Sequence, residues 1–366
     1  MNKRLVIWIS VGAGVLLICV TLAFLLWDLG GPGSWPVYMV TEPTVSPSRD
    51  RIAFTVCRRG KRRHQLDVRL AVLSLQTRKV LNTGAEISAR GFASTWSEDG
   101  TSLVFISGAY PRHWGLDIIN IETGVVTRVS EPSCWTPKFS PEGALLGFVR
   151  DDDLVVLNMT SRQETVVARN VNHWHWCWAS GGREVFYVRD KEILSSQVGP
   201  GATERLLCTE ASTEPYDSAE YLTPSPDGSR LGFYRSADDS FNALDLKTGR
   251  AVALFHCDHY FMSFLWIPSG VVYLDACEGE RREFARLMLY DVSSGESREV
   301  AAGPFAAIRW LGGKDILVKV GNMELWRYNL DSGNGERVLS IEDLGTPRKP
   351  SARGLRPPSI PQKPGR

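Results

Sequence analysis

Net charge is almost absent from this chain: 42 Lys and Arg stand against 41 Asp and Glu, for a formal balance of +1. A protein without a whole-molecule field has no electrostatic footprint of a nucleic-acid binder. Catalytic signatures are missing as well. No Gly-x-Ser-x-Gly elbow, Walker loop, dinucleotide fingerprint or zinc-protease histidine pair occurs, which excludes the chemistries those motifs carry. Histidine is scarce, at six residues in 366. No long helical periodicity is found after residue 28, which leaves strands as the material of the fold.

One long hydrophobic run is present, and only at the start. Leu5 to Trp27 carries no charge over 23 positions. As a helix it would span ~34 Å, enough for a hydrocarbon core of ~30 Å. Lys3 and Arg4 precede it, Asp28 follows, and the next basic residue is Arg49. The positive-inside rule therefore predicts residues 1–4 in the cytoplasm, an anchor over 5–27, a linker over 28–35 and the rest outside. A cleaved signal peptide fits less well, because the run is long and its exit offers no small-x-small site. A lipoprotein cysteine at Cys19 would follow Ile18, where a small residue is wanted. Outside the anchor lie Cys57, Cys134, Cys177, Cys208, Cys257 and Cys277. An oxidising compartment permits disulfides among them; buried unpaired thiols are the alternative.

The rest of the chain repeats. A short turn after an aromatic or apolar strand end starts at 46, 97, 140, 179, 225, 267 and 311. The mean spacing of about 44 residues matches a propeller blade. The fifth copy, Ser225-Pro226-Asp227-Gly228 before Leu231-Gly232-Phe233, is the cleanest. Pro presets φ, Asp bonds nearby N–H groups and Gly supplies φ > 0. A second turn follows in each unit, as in Leu244-Asp245-Leu246-Lys247-Thr248-Gly249. Trp96, Phe139, Trp178, Trp266 and Trp310 recur just before the first turn and are expected to pack between blades. The expected fold is all-β: a single β-propeller over residues 36–342, with seven four-stranded blades or, alternatively, six. The last blade would be completed by its own strand at Glu336 to Ile341 or by Val37 to Val40.

The pattern apolar-Ser-Pro-Asp-Gly-x-x-Leu/Ile-x-Phe, followed by Asp-Leu-x-Thr-Gly, resembles the repeat of the TolB-type propellers, also called WD40-like or PD40. The resemblance covers about residues 40 to 342, and the fourth and seventh copies depart from it in lacking Ser-Pro-Asp-Gly. It implies an extracytoplasmic, protein-binding propeller. The six blades of TolB leave the count here between six and seven. The helical domain that TolB carries before its propeller is replaced by the anchor.

Two side-chain groups are candidates for chemistry. His173-Trp174-His175-Trp176-Cys177-Trp178 is expected on the innermost strand of blade four, where alternation would place His173, His175 and Cys177 on one face and the tryptophans on the other. His256-Cys257-Asp258-His259 precedes the innermost strand of blade six. Imidazole and thiolate suit zinc or copper, but blade five separates the groups, and ordinary packing is the expectation. Cys208 and Glu210 hold a similar place before blade five. No catalytic residue and no cofactor is predicted. Basic surface is expected in Arg58 to His64. The tail, 343–366, should be disordered: Thr346 to Arg366 holds six prolines, six Lys or Arg and no acid. The reading that follows is a non-catalytic scaffold with protein partners at the cell envelope and no nucleic acid; whether it has a small-molecule ligand is left open by the sequence. The alternative is an extracytoplasmic metal-dependent hydrolase or lyase with its site at the channel mouth.

Overall fold

The first turn of the repeat closes the same way in blades one to five. In blade five Ser225 N–H donates to Arg230 O, Gly228 N–H returns to Ser225 O, and the Asp227 carboxylate accepts from the Ser225 hydroxyl and the Ser229 N–H. Blade four lacks both Pro and Asp yet keeps the backbone pattern, with Ala179 N–H on Glu184 O and Gly182 N–H on Ala179 O. The second turn is an Asx turn in five blades: the side-chain oxygens of Asn120, Asn158, Asp245, Asp291 and Asn329 each accept two following N–H groups.

The computed structural model describes residues 39–59, 66–86, 94–107, 115–130, 134–199, 201–209, 222–235, 238–256, 261–276, 284–321 and 324–344. The expected anchor, the linker, the tail beyond residue 344, Glu210, the side chains of the basic run, and Cys257, Asp258 and His259 lie outside them. The described strands form seven four-stranded antiparallel meanders, so the count is seven rather than six. The inner strands are Met39–Val45, Ser94–Trp96, Cys134–Phe139, Trp176–Trp178, Leu222–Pro224, Phe261–Ile267 and Phe305–Gly312. The last blade is completed by its own strand, Gly335–Ser340, followed by a 3₁₀ turn over Ile341–Leu344.

Seven apolar clusters hold the ring, one between each pair of neighbouring blades. A blade is thus buried on both faces, which is why its second strand reads as a continuous apolar run. Trp96, Trp178 and Trp266 are buried against the preceding blade. Two of them also bond to it: Trp96 Nε1 donates to Thr44 O at 3.2 Å and Trp178 Nε1 to Lys138 O at 2.9 Å. Phe139 and Trp310 are half-buried against their clusters. The glycine of Leu-Gly-Phe makes room for these rings. A Cβ on Gly147 would stand 2.6 Å from Trp176, and one on Gly232 3.0 Å from Trp266. Each fully buried side chain of this size stabilises by about 1.5–3 kcal/mol.

Among the described residues no strand is shared across the seam between blades seven and one. It is closed by the cluster around Ile52, Phe54, Leu73, Leu317, Leu325 and Leu339. Two arginines of blade one add to it, and each occupies a left-handed position that glycine holds elsewhere in the repeat: Arg49 at φ 60° and Arg78 at φ 56°. Arg78 reaches Glu336 at 2.6 Å and Val338 O at 3.2 Å. Cys134, Cys177 and Cys208 form no disulfide, and the first two are buried.

Candidate functional site: the connection face of blades three to five

The antiparallel meander fixes which strand ends share a face. First-to-second and third-to-fourth turns lie on one side of the ring, the turn face. Second-to-third and blade-to-blade connections lie on the other, the connection face. The chain enters blade one and leaves blade seven on the connection face too.

At that face, the approach to blade four is set by Asn172. Its side-chain oxygen accepts from Trp174 N–H at 3.1 Å, and its carbonyl accepts from His175 N–H at 3.0 Å. This turn delays the inner strand to Trp176. The expected alternation through His173 and His175 is therefore wrong: both lie in the turn, and Trp174 does not share a strand face with the other two tryptophans. From Trp176 onward alternation holds. Trp176 and Trp178 pack toward blade three, and Cys177 packs toward blade five against Phe186, Leu222 and Leu231.

The turn rests on the inner strand of blade three. Thr136 has φ 41°, a costly conformation for a β-branched residue. Its hydroxyl accepts from Trp176 Nε1 at 2.9 Å and donates to the His173 carbonyl. Lys138 Nζ donates to Trp176 O at 2.7 Å and lies 5.3 Å from the centre of the Trp176 ring. Above them Trp135 stacks on His173 with centroids 4.9 Å apart, and Trp174 meets both rings at 5.8 and 5.0 Å. These three rings are half-buried, while His175 beneath is 0% exposed. Burial, then the nearby His173 and Lys138, lowers the His175 imidazole to about 3. Burial also holds His173 below its usual value. The result is a partly open aromatic surface on a neutral imidazole, a chemistry suited to apolar or flat groups of a partner.

Of the second histidine group only His256 lies within the described residues. His256 ends the outer strand of blade five, exposed, with Nδ1 3.2 Å from Asp238 O, whereas His173 and His175 sit on the inner side of blade four. Among the described residues no three His, Cys, Asp or Glu side chains converge on a point that could hold a metal.

Sequence reasoning missed a second feature of this face. Arg150, Arg189 and Arg235 occupy one repeat position, the last residue of the second strand in blades three, four and five. They pair with Glu164 at 2.6 Å, Glu204 at 2.5 Å and Asp238. The Tyr187 hydroxyl also donates to Glu204. In blade six the position is Asp275, which pairs with Arg286 on the third strand. An arginine two residues after the Phe or Tyr of the repeat was the signal. Together the aromatic turn and the arginine–carboxylate pairs make one face of three blades both polar and aromatic.

The fold defines the chain as a seven-bladed β-propeller whose last blade is built from its own four consecutive strands. No protein-family model and no curated protein matches it. Solved structures do. The propeller domain of the Trilobed protease from Pyrococcus furiosus, described as having an open velcro topology, is similar at TM-score 0.59 and 14% identity, over 85% of this chain and 99% of that one. An oligogalacturonate lyase in complex with manganese is similar at 0.52 and 14%, over 68% and 76%. The acylaminoacyl peptidase of Pyrococcus horikoshii is similar at 0.60 and 14%, over 84% of this chain and 53% of its own length. At such identity these likenesses concern the fold.

Proposed function

We propose that the chain is a membrane-anchored, extracytoplasmic propeller of the TolB or PD40 kind, a non-catalytic module that binds a protein partner of the cell envelope through the connection face of blades three to five. The observation that carries this is the half-exposed cluster Trp135–His173–Trp174, held in place by the strained Thr136 and by the turn at Asn172. Aromatic anchors beside arginines on a rigid support are what protein interfaces use. With the anchor at 5–27, residues 28–38 extend at most ~40 Å before the chain enters on the connection face. That face then lies toward the bilayer, and its partner belongs to the envelope.

The test is co-purification of the full-length protein from gently solubilised membranes, wild type beside a Trp135→Ala/Trp174→Ala variant. A protein recovered in stoichiometric amount with wild type and lost from the variant, at unchanged melting temperature, supports the reading. Identical recovery with both overturns the assignment to this face.

A second reading is an enzyme with a metal at the channel mouth. It draws on the likeness to a manganese-containing lyase and on two neighbouring histidines, one of them buried and neutral. Elemental analysis decides: one manganese, zinc or copper per chain, lost in His175→Ala and His256→Ala alike, would replace the scaffold reading.

A further inference from the structure

The turn face carries a cleft that the connection-face reading does not use. It lies between blades four and five, is open to solvent and has a volume of about 620 Å³, within the range of ligand sites. It exists because blade four departs from the repeat. Where blade five places Pro226 and Asp227, and blade three Pro141 and Glu142, blade four has Ser180 and Gly181. A Cβ on Gly181 would meet nothing within 4 Å, whereas one on Gly228 of blade five would collide with Ser180 Oγ at 2.1 Å. The two turns therefore touch at Ser180 and Gly228, and beside that contact the missing side chains leave a notch.

The walls are amphiphilic. Ala179 and Leu246, both half-buried, supply the apolar surface over the buried Phe186, and Arg183, Arg205 and Lys247 are exposed cations. Three carboxylates stand in or beside the cleft, and all are committed; Asp227, next to Gly228, accepts from the Ser225 hydroxyl and the Ser229 N–H. Asp245 accepts from the Thr248 and Lys247 N–H groups, which hold its carboxyl below the usual range. Glu184 pairs with Arg205 at 3.8 Å. Arg230 adds a further positive charge near Asp245. Four cations thus face three carboxylates, an excess of one positive charge around an apolar floor.

We infer that this cleft binds an acidic peptide segment of a partner protein, with an apolar side chain on the Ala179–Leu246 floor and flanking carboxylates at Arg183 and Lys247. The occupant is a peptide rather than an inorganic anion because the floor is apolar and the cleft is far larger than one phosphate. The site is on the face opposite the aromatic cluster, so its failure leaves the proposed function standing.

The experiment titrates full-length protein in detergent into a fluorescein-labelled peptide that alternates Asp with Leu, read by fluorescence anisotropy. The isosteric Asn–Leu peptide, an Asp–Ser peptide and inorganic phosphate serve as competitors. Saturable binding is expected, weakened at least tenfold by Arg183→Glu, by Lys247→Glu and by Gly181→Leu, which fills the notch. Lys247→Arg should retain it. The Asn–Leu and Asp–Ser peptides should compete poorly, and phosphate not at all. Absence of saturable binding overturns the inference. So does equal affinity of the Glu variants, and so does complete competition by phosphate, which would reduce the site to an anion contact.

Discussion

The Arg49 guanidinium lies 4.2 Å from the centre of the Trp310 ring and so joins the first turn of blade one to the last blade. A Cβ on Gly312, at φ 102°, would stand 2.5 Å from Arg49 Nη1, so the arginine fills the groove that the glycine leaves. This contact and the apolar cluster beneath it do what a shared strand does in other rings.

A double-mutant cycle on Arg49→Ala and Trp310→Ala should return a coupling of about 0.5–2 kcal/mol in urea denaturation. Arg49→Gly should lose less than Arg49→Ala by about 1 kcal/mol, since glycine relieves the left-handed backbone. A coupling near zero would mean that the seam is held by its apolar cluster alone. Arg78 and Glu336 are both largely exposed, so Arg78→Ala should cost little.

Trp266, 8% exposed between blades five and six, should destabilise by about 3–5 kcal/mol when replaced by Ala. Trp174, half-exposed at the connection face, should cost under about 1 kcal/mol. Chemical denaturation of the two variants separates a packing tryptophan from one available for contact.

Acid should weaken the fold in two stages. Burial first, then His173 and Lys138, lowers His175 to about 3 from 6.5. Its depressed folded value means that stability present above pH 6.5 is lost as pH falls from there toward 3, with a limiting slope of about 1.4 kcal/mol per pH unit. Lower down, the turn carboxylates take over. Asp227 is held at about 2 by the Ser225 hydroxyl and the Ser229 N–H, and Asp99 is lowered by Ser97 and Thr101. Their contribution is present above about pH 4 and is lost toward pH 2. His175→Leu should flatten the first stage and Asp99→Asn/Asp227→Asn the second, measured by denaturant titration at each pH.

Most of the fold was legible because turn chemistry is local. Pro47, Asp99, Gly143 and Gly228 announced their turns, and even the reduced turns of blades four, six and seven were marked by the tryptophan before them. The seam was not legible. Arg49 and Arg78 take glycine positions, and only the ring geometry shows that both reach blade seven. The histidine turn was misread for a similar reason. Strand alternation does not extend through His173 and His175 because Asn172, two residues before Trp174, starts a turn. The arginine position of blades three to five could have been found by extending the repeat alignment by two residues.

The predicted orientation of the anchor has a separate check. A reporter active only in the cytoplasm, fused after residue 345, should be silent, and one active only outside should work. The opposite pattern would move the propeller into the cytoplasm and remove the case for an envelope partner.

The most direct measurement on the central claim is site-specific photo-crosslinking in native membranes, with a benzoylphenylalanine at position 174 on the connection face and, separately, at position 161 on the outer turn of blade three. A discrete adduct from 174 and none from 161 is the result predicted. Adducts from 161 alone, or from neither position, would contradict a docking surface on the connection face of blades three to five.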